Sequence, residues 1–154
     1  MKTTKLLTVL MILALIFSLS ACGAADKNND DDMGAEIAQL LAAEPENLEE
    51  AAELYKKLMQ QENAILTENK ELWEKVFKLA DKGTPMIEDG TNYGDFLLKT
   101  IDSAEDKFSK KELKILRDGA EKIREIEGKL TVLEQKYPEC AVMALDSDMS
   151  VPAK

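Results

Sequence analysis

Residues 47–82 read NLEEAAELYKKLMQQENAILTENKELWEKVFKLADK, and the spacing of their apolar side chains decides the fold class. Counted in sevens, Leu48, Tyr55 and Val76 share one position, Ala51, Leu58, Ile65, Leu72 and Leu79 the next, and Ala52, Met59, Leu66, Trp73 and Ala80 flank them. Apolar residues recurring every three and four positions describe one face of an α-helix. The stripe is wider than the seam of a two-stranded coiled coil, so the helix requires more than one neighbour. Asn47 with Glu50 three residues on has the form of a capping box, and Gly83 followed by Pro85 supplies a stop. The pattern predicts a single helix spanning about 54 Å at about 1.5 Å per residue.

Glu62 and Asn69 interrupt the stripe at the position shared by Leu48 and Tyr55. The expected reading is a stripe edge tilted toward water, and the alternative is a polar pocket in the bundle. Trp73 lies within the stripe and is assigned to the core. With Tyr93, near the polar loop that follows, it is also a candidate for lining a ligand site. Glu62, Asn69, Trp73 and Tyr93 are therefore the candidate interaction or ligand-binding residues.

Toward the C-terminus a second helical pattern begins at Asn92, with Asp95 three residues on, and continues through Tyr93, Leu97, Ile101, Ala104 and Phe108. Ser109-Lys110-Lys111-Glu112 is a capping box opening a third. Its apolar set is Leu113, Leu116, Ala120, Ile123, Ile126, Leu130, Leu133 and Tyr137, closed by Pro138. Gly119 and Gly128 each cost about 1 kcal/mol relative to alanine inside a helix, which suggests close helix contacts. Residues 35–43 can form a short preliminary helix before Pro45, whereas 139–154 show no sustained period and read as a disordered tail. The expected fold is all-α: an antiparallel bundle of three principal helices over residues 35–138, carried on a flexible N-terminal tether at 22–34.

The chain opens with Lys2 and Lys5, then an uncharged apolar or small run from Leu6 to Leu19. At about 14 residues the run is short of the roughly 20 needed to span a bilayer, and its layout is that of a secretory signal peptide. The residues that follow, Leu19-Ser20-Ala21-Cys22, resemble the lipobox of bacterial lipoprotein precursors. The resemblance covers only this targeting segment. It implies that residues 1–21 are removed, that the Cys22 thiol receives a diacylglyceryl group, and that the new amino group can be acylated. It further implies a protein held by lipid on the extracytoplasmic side of a bacterial membrane, since two acyl chains anchor stably where one is marginal. Gly23 is not the aspartate associated with inner-membrane retention in Gram-negative lipoproteins, and a body rich in lysine and glutamate favours a Gram-positive source.

The net charge is -10 over 154 residues, with 30 acidic and 20 basic side chains. Such a surface disfavours nucleic acid and anionic headgroups, both of which require cationic counterparts. Histidine is absent, which removes the commonest general base and metal ligand. There are two cysteines, so lipidation of Cys22 leaves Cys140 either an incidental thiol near a frayed end or half of an intermolecular disulfide. No phosphate loop, nucleophile elbow or paired-cysteine motif is present. Asp30–Asp32 echo a calcium loop but, counted from Asp26, put Asp31 and Ile37 at its glycine and glutamate positions, while the Asp89–Asp95 stretch has Gly94 as the central glycine but fails at Tyr93 and Thr100. The expectation is a non-enzymatic lipoprotein, without cofactor or metal, that meets a protein or envelope partner through a helical face. A small-ligand or cation-binding accessory protein of a transport system is the alternative.

Overall fold

A computed structural model describes residues 29–80 and 91–149, and among these it forms six α-helices and no strand. They are α1 (Asn29–Ala42), α2 (Leu48–Glu68), α3 (Lys70–Ala80), α4 (Tyr93–Ser103), α5 (Lys110–Lys136) and α6 (Cys140–Met149), with a 3-10 turn at Glu105–Lys107. The leader, the lipobox with Cys22, the Gly83 and Pro85 stop and Asp89 lie outside the described residues. No helix among the described residues is long and apolar enough to cross a membrane.

The single helix expected over 47–82 is divided at Asn69. Asn47 caps the start of α2 by accepting the Glu50 N–H at 2.9 Å. Near its end, the Thr67 hydroxyl donates to the Asn63 carbonyl at 2.7 Å, a back-bond of the kind that bends helices. The Asn69 N–H then turns to the Thr67 carbonyl, while the Asn69 carbonyl starts α3 by accepting from Leu72 and Trp73. In an unbroken helix Asn69 would donate to Ile65; here the Trp73 indole N–H reaches the Ile65 carbonyl at 3.2 Å. The corner therefore has its own hydrogen-bond solution, and it lets α3 fold onto α5.

That packing is close because of Gly119. A Cβ there would lie 2.8 Å from Trp73 Cζ2 and 3.2 Å from Ile65 Cγ2, so the indole rests where a side chain would otherwise stand. Gly128, expected to mark a second contact, has open space around it. The other anchors of α5 fix antiparallel neighbours: Lys75 with Glu112, Arg117 with Asp102, and Asn92 with Arg124. Leu58, Val76, Leu97, Ile101, Leu116 and Ile123 are fully buried where α2, α3, α4 and α5 converge.

Both ends of the bundle extend past the expected 35–138 boundaries. Residues 29–34, read as tether, belong to α1, because Met33, Ile37, Leu40 and Leu41 make an apolar face and Asp32 suits the positive end of the helix dipole. Residues 140–149, read as tail, form α6, which packs along α2 through Cys140 and Ala144. The period is hidden there because the outward positions Val142, Met143 and Leu145 are apolar too. The Tyr137 hydroxyl donates to the Pro45 carbonyl at 2.8 Å, and Lys129 meets Glu44 at 2.8 Å, fastening the α1–α2 connection to the end of α5.

Candidate functional site around Glu62 and Glu127

Tyr55 and Glu62 stand seven residues apart on α2, and Glu127 and Glu134 seven apart on α5. Because the two helices run antiparallel, the four residues meet in pairs. The Tyr55 phenol donates to Glu134 Oε1 at 2.8 Å. One heptad away the Glu62 and Glu127 carboxyls hydrogen-bond to each other. Two carboxylates cannot do this, since each only accepts, so the pair must hold one proton. Glu62 is the donor. Its pKa is pushed well above 4.5 first by burial, then by the Glu127 charge and the hydrogen bond it makes to Glu127. Burial also raises Glu127, and Glu134 adds to this, while the hydrogen bond from Glu62 lowers it.

At 5 % exposure, Glu62 is not on a wetted edge of the stripe, as expected from sequence, but inside the bundle. α4 packs along α5. Tyr93, the first residue of α4, is 8 % exposed, and its phenol lies within electrostatic reach of Glu62 and Glu127. Burial, then the charge of those two carboxyls, pushes its pKa up. Among the described residues, the Tyr93 hydroxyl is a buried side-chain polar atom with no hydrogen-bond partner.

Tyr93 is held there by its neighbours. The Asn92 side chain accepts from the Gly94 and Asp95 N–H groups at 2.9 and 3.3 Å, and its amide donates to the Arg124 carbonyl at 3.0 Å. Gly94 lies so near the Arg124 backbone that a Cβ would overlap it, which brings α4 against α5 one turn from Glu127.

Of the residues singled out by sequence, Glu62 and Tyr93 come together. Asn69 sits about 10 Å further along the helix axis at the corner of α2 and α3, half-buried, and Trp73 is in the core against Gly119. Tyr55, Glu127 and Glu134 were missed. The signal for them was present: Leu113, Ala120, Glu127 and Glu134 share one heptad position on α5, so carboxyls interrupt its stripe as Glu62 interrupts that of α2. All the polar atoms of the site are oxygens, and among the described residues no three histidine, cysteine or acidic side chains are grouped to hold a metal ion. Comparisons with family models, with curated proteins and with solved structures return no match.

Proposed function

We propose that this chain is the precursor of a bacterial lipoprotein, anchored by acyl chains on Cys22 at the extracytoplasmic face of the membrane, whose helical bundle is a non-enzymatic module for binding a protein or envelope component. The observation that carries the reading is the order of the first 22 residues: two lysines, an apolar run too short to span, and Leu19-Ser20-Ala21-Cys22. The start of α1 at Asn29 sets the stand-off. Seven residues of extended chain reach at most about 25 Å, so the bundle stays close to the bilayer and its partner is another occupant of that layer.

Labelling cells with a palmitate analogue, followed by membrane fractionation, tests the anchor. Label and membrane association are expected in the wild type and lost in Cys22→Ala; an unlabelled, released wild-type protein would overturn the reading. Photo-crosslinking groups at the exposed Val132 and Val142 test the module. A discrete adduct with one envelope protein supports it, and a chain that remains without adduct in intact cells opposes it.

A further inference from the structure

We propose that α1 is a releasable strap: docked, it keeps the bundle within about 25 Å of its lipid anchor, and melted off the bundle it becomes further tether that extends the reach to about 75 Å. What the lengthening accomplishes rests on the Cys22 anchor, whereas the release is a property of the bundle alone.

α1 lies against α2 and α5. Among the described residues Ile37 is its one fully withdrawn side chain, with Met33, Leu40 and Leu41 partly buried beside it. α2 and α5 bury eight residues each, so most of the core is theirs. Gly34 has nothing within 4 Å of the place where a Cβ would stand, so it weakens the helix without serving a close contact. A helix of 14 residues carrying that glycine is too short to persist alone. Off the bundle α1 is therefore open chain, and four acids in its first eight residues keep it solvated and away from anionic headgroups.

The polar fastenings lie past the end of the helix. Lys129, its side chain mostly buried, meets Glu44 at 2.8 Å, and the Tyr137 hydroxyl donates to the carbonyl of the buried Pro45 at 2.8 Å. They clamp residues 44 and 45 to the end of α5, while α1 meets the bundle through its apolar face. Release therefore runs up to the clamp and stops there. The free chain grows from the seven residues that separate Asn29 from Cys22 to the 22 that separate Glu44 from it. A partner standing further out than the docked state allows selects the released one.

Hydrogen exchange followed by mass spectrometry on the full Cys22→Ala chain, where no lipid enters, reads the release. Amides of residues 33–42 should exchange through a local opening, at least about tenfold faster than those of 113–133 and with little dependence on urea. Gly34→Ala should slow that exchange about two- to fivefold. Ile37→Asp should abolish protection in α1 and leave that of α2 and α5 in place. Exchange of α1 only with global unfolding, or loss of protection throughout the bundle in Ile37→Asp, would overturn the strap. The reach is read on the lipidated protein in vesicles of phosphatidylethanolamine and phosphatidylglycerol, by energy transfer from a donor on Val132→Cys to acceptor-labelled headgroups. Ile37→Asp should lower the transfer, and equal transfer with and without it would overturn the lengthening. A product without lipid would overturn the anchor, and the lengthening with it, but not the release.

Discussion

Tyr55 on α2 and Glu134 on α5 face each other, the phenol 2.8 Å from Oε1, one heptad from where Glu62 meets Glu127 on the same two helices. The two pairs are rungs of a polar ladder set into an apolar interface. Any slip of α2 against α5 would bury at least one carboxyl against apolar side chains, so the ladder fixes register. Removing one hydroxyl measures the outer rung. Tyr55→Phe should lower stability by about 1 kcal/mol, kept modest because the half-buried Glu134 can regain water. Urea denaturation checks it: the midpoint should fall at constant m, and an unchanged midpoint would mean the rung contributes nothing.

The inner rung makes stability depend on pH in an uncommon direction. In the unfolded chain Glu62 ionises near 4.5, whereas in the bundle its pKa is raised by burial and by Glu127. The folded state therefore holds a proton that the unfolded state has lost. That contribution is fully present below the unfolded value and is lost as pH rises through the folded one. Glu44, held below its usual range by its hydrogen bond to Lys129, and Glu112, held down by the Ser109 N–H, have the opposite sign, but both reach solvent and act only in acid. Denaturation midpoints in metal-free buffer should fall from mildly acidic to mildly alkaline pH. Glu62→Gln should flatten the slope, which separates the pair from general repulsion in a chain of net charge -10.

Two glycines in one helix should respond oppositely to the same change. Gly128→Ala meets open space and gains helix propensity, so it should stabilise by about 0.4–1 kcal/mol. Gly119→Ala places a methyl 2.8 Å from the Trp73 ring, which is itself held by the Ile65 carbonyl and cannot easily give way. Overpacking of this kind costs about 1–3 kcal/mol, more than the propensity returns. Thermal unfolding of the two variants should therefore move Tm in opposite directions. A rise for both would show that the indole moves aside.

These contrasts mark what the sequence made legible. The helical stripes, the Asn47 and Asn92 caps and the Ser109 capping box follow from local chemistry and stand in the bundle where their spacing puts them. The break at Asn69 was not legible, because it depends on an indole eight residues away from the carbonyl it satisfies. Nor was the carboxyl pair, because Glu127 is one acid among 30 until α2 and α5 are set in register. α1 and α6 were missed for different reasons. In α1 the apolar face begins only at Met33, behind an acidic run, and in α6 the unbroken apolar run over residues 140–145 left no period to read.

α6 provides the final prediction, through Cys140. Its thiol is 0 % exposed against α2, and burial and then the Glu134 charge push its pKa up. Both effects suppress the thiolate, the species that reacts with maleimides and forms disulfides. In a Cys22→Ala chain, where Cys140 is the one remaining thiol, labelling should be slow under native conditions and fast in denaturant. Non-reducing electrophoresis should show no dimer, which removes the intermolecular disulfide as an explanation for this cysteine. If α6 were a frayed end, labelling would proceed at the rate of a free thiol without denaturant. If it opens as a unit, the rate should instead follow the local unfolding equilibrium and rise with urea before the global transition. A stop after Pro138 gives the complementary result: it uncovers the side of α2 that Cys140 and Ala144 protect, and should lower Tm by more than Tyr55→Phe does.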